Sequence, residues 1–291
     1  MLLIFLMLPY PALYAEQASI IQTDKIVVVF EEPLRFVADE AVNIFPAIKS
    51  DLESSLNWTL DFRPTLVLTT NRERFEEMTG SRVVVAYAVP QKNLMVIDYT
   101  KMNTTPFSLG TIIKHELCHL LLHNLVNNGR LPRWLDEGIS QLASDGIAEI
   151  MMSRKASILD KAVLSKKLLS MKSLSQSFPR DQESLLLAYE ESKSFVEFIN
   201  HEFGREGVLA LLGHLQSGSE IDGAVLKSFS IPFDELERRW HTRLRKKINW
   251  FTYLANNLYT ILFFLAALIT IAGFVRMLIR KRRYGEDEFS A

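Results

Sequence analysis

The sequence predicts an α+β domain followed by one long apolar helix. Three observations lead there. Short β-branched runs are confined to the first hundred or so positions. From Pro106 onward the apolar spacing is almost entirely helical. Near the C-terminus, Leu258–Val275 is an apolar run that carries no charge. Strands first and helices afterwards are the order of an α+β architecture with its sheet on one side. Composition agrees, since 48% apolar and 23% charged residues describe a globular chain and exclude a disordered one. A formal net charge of −1 leaves no electrostatic footprint for nucleic acid. The single cysteine, Cys118, excludes an internal disulfide framework and a multi-cysteine metal site.

In chain order, residues 1–15 come first. LLIFLML, then Pro9 and Pro11, then Ala12 and Ala15 before Glu16, read as a secretory signal peptide that is too short to span a bilayer. Residues 16–249 then form one continuous domain. Lys25–Phe30 is a strand. Leu34–Leu56 has helical apolar spacing, with Pro46 expected to kink or divide the helix. Thr65–Thr70 is a strand, and Arg72–Met78 is a short helix closed by Gly80. Val83–Val89 and Leu94–Tyr99 are strands around the turn Pro90-Gln91-Lys92-Asn93.

Residues 250–275 form a transmembrane helix. The uncharged run covers roughly 27 Å, close to the hydrocarbon thickness, and Trp250, Tyr253 and Tyr259 suit an interfacial belt. Basic residues flank the run almost equally on both sides, so orientation rests on the signal peptide. It places 16–249 outside the cytoplasm, on the outer face of a bacterial inner membrane, and leaves the tail 276–291 inside. The basic helix Leu236–Lys247 is a solvated juxtamembrane element, with anionic lipid as a possible contact.

The chemistry is carried by His115-Glu116-Leu117-Cys118-His119. Thr105 and Pro106 supply an N-cap and a proline at the first helical position, and Ile112, Ile113, Leu117, Leu120 and Leu121 continue at helical spacing. On a helix, residues i and i+4 share a face, so both imidazoles reach one metal. Glu116 sits at the edge of that face, where it can take a proton from an activated water. A match to this pattern is expected about 0.01 times by chance in a chain of this composition, so coincidence is a poor explanation. Two histidines and a glutamate among apolar neighbours would also be costly without a partner such as a metal. Zinc needs a third protein ligand. Pro132-Arg133-Trp134-Leu135-Asp136-Glu137-Gly138 starts a second helix that can return Glu137 or Asp136 to the metal. His123 follows His119 on the same helix, a full turn too far along the axis for a ligand and better suited to an outer layer. Cys118 points away from the histidine face and packs in the core.

HELCH followed by PRWLDEGIS resembles the gluzincin zinc peptidases, and is most similar to the peptidase MA-like family. The later Tyr189-Glu190-Glu191-Ser192 with Phe195-Val196, and the segments Phe203–Gln216 and Ile231–Trp240, are similar to the family's helical tail. The resemblance covers roughly 24–248. It implies a zincin-like fold, in which a small mixed twisted sheet and an active-site helix precede a helical C-terminal half. It implies that His115, His119 and Glu137 bind Zn²⁺, that Glu116 is the general base, and that Tyr189 donates to the oxyanion. It implies hydrolysis of a peptide or protein substrate by a zinc-activated water. Gln141 stands where such peptidases often carry an acidic residue holding a metal histidine. Leu94–Asp98 occupies the place of the edge strand that pairs with extended peptide. Two other functions are compatible with these residues: a catalytically silent domain acting as a membrane-tethered scaffold, and a zinc hydrolase for a non-peptide bond. An intact Glu116 speaks against the first.

Overall fold

The computed structural model describes residues 18–80, 82, 84–102, 108–127, 129–144, 158–247, 254–255 and 257–287. The signal-peptide segment 1–15, the Thr105-Pro106 pair and the aromatic residues Trp250 and Tyr253 lie outside the described residues. The chain divides into two compact units. The first holds 1–154 and 168–240, the second 155–167 and 241–291.

The first unit is α+β, as the order of patterns predicts. Its strands are β1 (Ala18–Gln22), β2 (Val27–Glu31), β3 (Thr65–Thr69), β4 (Ala86–Val89) and β5 (Leu94–Asp98). They form one mixed sheet in the order β1-β2-β3-β5-β4. β2, β3 and β5 run parallel, whereas β1 and β4 lie antiparallel at the two edges. The strand next before the histidine helix is therefore interior. β5 pairs with β3 on one side and β4 on the other, so Leu94–Asp98 has no free edge, contrary to the expectation from the resemblance. Among the described residues, the outer strand on that side is β4. The turn Pro90–Asn93 folds β4 back along β5, with Asn93 in the left-handed region that an asparagine tolerates. β1 was not expected from the sequence.

Alternation sorts the strand residues onto two faces. On one, Phe75 of α2 (Arg72–Thr79) covers Val67 and Val96, with Val29, Tyr87 and Leu94 around them. Burying Phe75 fully is worth about 1.5–3 kcal/mol. Gly80 closes α2 at φ 63°, as its position suggests, and Asn71 caps the start by accepting from Arg74 N–H. The residues of opposite parity, Val28, Phe30, Leu66, Leu68, Met95 and Ile97, are buried as well. Helices α1 (Arg35–Leu56) and α3 (Leu109–Leu125) pack against this sheet and against one another. α1 runs unbroken through Pro46.

The remaining helices of this unit are α4 (Arg133–Ala143), α6 (Met171–Gln176), α7 (Gln182–Gln216) and α8 (Ile221–Phe229); α9 (Phe233–Lys247) begins in it. α7 is interrupted at Gly204, whose φ of 69° only glycine adopts cheaply, so it works as two helices in one run. α4 packs on α3, α6 and α7. The α4–α7 approach depends on Gly138, because a Cβ there would stand 2.5 Å from both Ser192 O and Val196 Cγ2. Trp134 anchors the same layer, its ring tilted at 58° against Phe195 and its Nε1–H donating to Ser175 Oγ.

The second unit contains α5 (Ile158–Ser165) and the helix Leu258–Asp287. Leu258–Met277 of that helix is long and apolar enough to cross a membrane, and its apolar side chains are exposed.

Candidate metal centre

The site is built on two helices that the sequence makes adjacent. α3 starts at Leu109, capped by Ser108, whose Oγ accepts from Thr111 N–H. Its apolar residues point to all sides and Leu109, Ile112, Ile113, Leu117, Leu120, Leu121 and Leu122 are all buried. A helix apolar all round belongs inside a domain. Here that arrangement carries His115, Glu116 and His119 into the interior with it. Pro132 then fixes the chain direction at the start of α4, and the first turns of α4 bring Asp136 and Glu137 back against α3.

Three side chains converge. His115 Nε2 and His119 Nε2 are 3.2 Å apart. Glu137 Oε2 lies 4.0 Å from the first and 3.7 Å from the second. Four ligands at zinc–nitrogen and zinc–oxygen bond lengths stand about 3.3 Å from one another in a tetrahedron, so this donor set fits a zinc-sized cation with little adjustment. Among the described residues, His115, His119 and Glu137 form the one His/Cys/Asp/Glu group whose ligand atoms lie within 4.8 Å of each other.

The outer nitrogens show the same fit. His119 Nδ1–H donates to Asp136 Oδ1 at 2.7 Å, with Ser140 Oγ at 3.3 Å. His115 Nδ1–H donates to Ser144 Oγ at 3.2 Å, and Ser144 in turn donates to Ser140 O. With both Nδ1 atoms taken up as donors, the Nε2 atoms are the ones turned toward Glu137 and left to a metal. This is the tautomer that metal ligation requires. Asp136 is thus not a rival ligand but the carboxylate that orients one. It also accepts from His123 Nε2–H at 3.1 Å, which places His123 in the outer layer, as its axial position suggests.

Gln141 does something other than the resemblance implies. Its Nε2–H donates to Glu137 O and to Tyr189 O, tying α4 to α7. Asp136 and Ser144 hold the histidines instead. The sequence signal for Asp136 was its place beside Glu137; Ser144 carried none.

Electrostatics follow from burial and these pairs. Burial opposes charge on His119, yet Asp136, Glu137 and Glu116 outweigh it and hold the imidazole pKa well above the ordinary value. A metal would displace that proton and take over the stabilising role. Burial pushes Asp136 up, but His119 and His123 draw it well below the usual carboxylate range. Burial raises the Cys118 thiol to about 11, which keeps it an inert core residue as its position predicts.

Glu116 is buried in α3, one residue from His115. Tyr189 is buried in α7, with its ring edge-on to Phe178. The cluster opens onto a cleft of about 390 Å³ lined by Tyr87 and Ala88 of the edge strand β4 and by His119, His123, Arg133 and Glu137. Tyr189 is not among the lining residues.

A sequence model of the peptidase MA superfamily matches residues 76–246, from α2 through α9. No curated protein matches the chain. Two histidines and a glutamate converging from paired helices agree with a match that spans more than half of the sequence, and the chain belongs to the peptidase MA superfamily.

Proposed function

We propose that the protein is a zinc metallopeptidase of the gluzincin type, tethered to a membrane by its C-terminal helix. The observation that carries this reading is the convergence of His115 Nε2, His119 Nε2 and Glu137 Oε2, with Glu116 adjoining them inside the HExxH helix. The metal, when bound, supplies Lewis acidity to a peptide carbonyl and to a water. The chain's own residues supply the rest. Asp136 and Ser144 hold the histidine rings in the ligating tautomer. Glu116 is the general base that takes the proton of the attacking water and passes it to the leaving amine. Tyr189, buried and outside the cleft lining on the helix that packs on α4, is the candidate hydroxyl donor to the developing oxyanion that the resemblance offers. The open edge of β4 offers backbone hydrogen bonds to an extended substrate.

In this reading residues 1–15 are a signal peptide, 16–249 the peptidase part, 250–275 the membrane helix and 276–291 a cytoplasmic tail. The length and apolar surface of Leu258–Met277 support the tether. The catalytic part then works outside the cytoplasm, on peptide or protein substrates.

The test is hydrolysis of a peptide library by the full chain in detergent, beside Glu116→Gln. Loss of a general base costs about 10²–10⁴-fold in rate, so the variant should retain zinc and lose cleavage. Equal cleavage by both proteins would remove Glu116 from its role, and zinc-loaded protein that cleaves no peptide would overturn the peptidase reading.

A further inference from the structure

The cleft wall holds a cation that the chemistry above does not use. Arg133 is the first residue of α4 and lines the cleft beside Glu137. Its guanidinium carbon stands 4.7 Å from the centroid of the Phe178 ring. Phe178 is itself buried and set against Tyr189, so the surface beneath the guanidinium is rigid. Stacking on an aromatic face holds the plane of the fork and leaves its N–H edge free to donate.

Two observations say that this edge has work to do. The side chain is 44% exposed, so the fork is reachable from solvent. Its nearest carboxylate is Glu137, with Nε 4.0 Å from Oε1, and among the described residues no hydrogen bond ties the guanidinium down. Neither acid in the cleft wall can neutralise it in the working enzyme. Glu137 turns its other oxygen to the two histidines, where a divalent cation would take up its charge. Asp136 is committed to His119 and His123. At the rim of the cleft, beside the cluster, Arg133 therefore offers a positive charge and an open planar donor pair, which is the complement of a carboxylate.

We propose that Arg133 is a substrate-binding residue that reads a carboxylate next to the bond being cut. Two sources share that chemistry: the free C-terminus of a peptide, and an aspartate or glutamate side chain within it. The proposal rests on the metallopeptidase reading.

The test is binding, with turnover in parallel. Full-length Glu116→Gln, loaded with zinc in detergent, is titrated with fluorescent peptides matched in pairs. One pair differs as Glu against Gln near the centre, the other as free against amidated C-terminus. Charge-assisted hydrogen bonds predict that the carboxylate member binds about tenfold tighter or more, and the pair that shows it names the source. The preference should collapse in Arg133→Met and persist in part in Arg133→Lys, which keeps the charge but not the fork. Zinc content is measured in each variant. Matched peptides binding equally, or a preference that survives Arg133→Met, would overturn the proposal. So would loss of zinc in Arg133→Met, because Arg133 would then serve Glu137 rather than substrate. Peptides bound and cut without regard to charge would sink only the Arg133 assignment, whereas peptides neither bound nor cut would sink the peptidase reading with it.

Discussion

Asp136 Oδ1 and His119 Nδ1 stand 2.7 Å apart, closer than Ser140 Oγ to the same nitrogen or Ser144 Oγ to His115 Nδ1. The residue beside Glu137 on α4 thereby orients His119 of α3, its partner in the candidate metal cluster. Asp136→Ala is expected to weaken zinc about 10–100-fold, as loss of such outer partners does. Competition against a fluorescent chelator measures this. Unchanged affinity would mean that Ser140, at 3.3 Å from the same nitrogen, holds the ring alone.

The Gln141 side chain makes a different prediction from the one its family position suggests. It donates to Glu137 O and to Tyr189 O across the α4–α7 contact. Gln141→Glu keeps the shape but removes the donor and adds a buried charge. It should cost stability, about 1–3 kcal/mol or more, without tightening zinc. Tighter zinc in Gln141→Glu would show that the new carboxylate turns to a histidine.

Gly138 has no room for a side chain. A Cβ would meet Ser192 O and Val196 Cγ2 at 2.5 Å, and Ser192 O is backbone that cannot rotate away. Gly138→Ala is expected to lose about 1–3 kcal/mol, read as a lower Tm. Since Glu137 precedes Gly138, zinc affinity should fall too as α4 shifts off α7.

Glu191 sets a pH dependence for stability. Burial lifts its pKa from 4.5 to about 8, Glu237 adds to the lift, and the hydrogen bond from Leu169 N–H works against it. Between those values the folded chain keeps a proton that the unfolded chain has released. The contribution of Glu191 to stability should therefore fall as pH rises from about 4.5 to about 8 and be constant outside that window. Glu191→Gln, which still accepts from Leu169 N–H, should remove this slope and be the more stable protein near pH 8. Denaturant titrations across the window decide it, and parallel slopes for both proteins would contradict the assignment.

What was legible in the sequence was local. The histidine helix, the α4 segment, β3 and the Gly80 stop all follow from periodicity, caps and turn chemistry within a few residues. Strand order was not legible, because pairing joins residues far apart in the chain. The β4–β5 hairpin is the exception: the turn Pro90–Asn93 announced it, and only the edge role that the resemblance gave to Leu94–Asp98 was at odds with it. β1 escaped because it is short and at most half-buried, so its apolar signal is weak. The start of α3 was placed at Thr105-Pro106, whereas Ser108 is the cap; Thr105 and Ser108 are both hydroxyl residues that can cap a helix. The convergence of His115, His119 and Glu137 was legible because metal geometry ties residue type to helical spacing. Their supports were not, since Ser144 reaches His115 only through the packing of α4 on α3.

The central claim is a three-ligand zinc site, and metal content by mass spectrometry of the intact native chain tests it most directly. Wild-type protein, reconstituted with zinc, should carry about one ion per chain, and both His115→Ala and Glu137→Ala should lose it. A wild type without zinc, or a Glu137→Ala variant that binds as much as the wild type, would contradict the account.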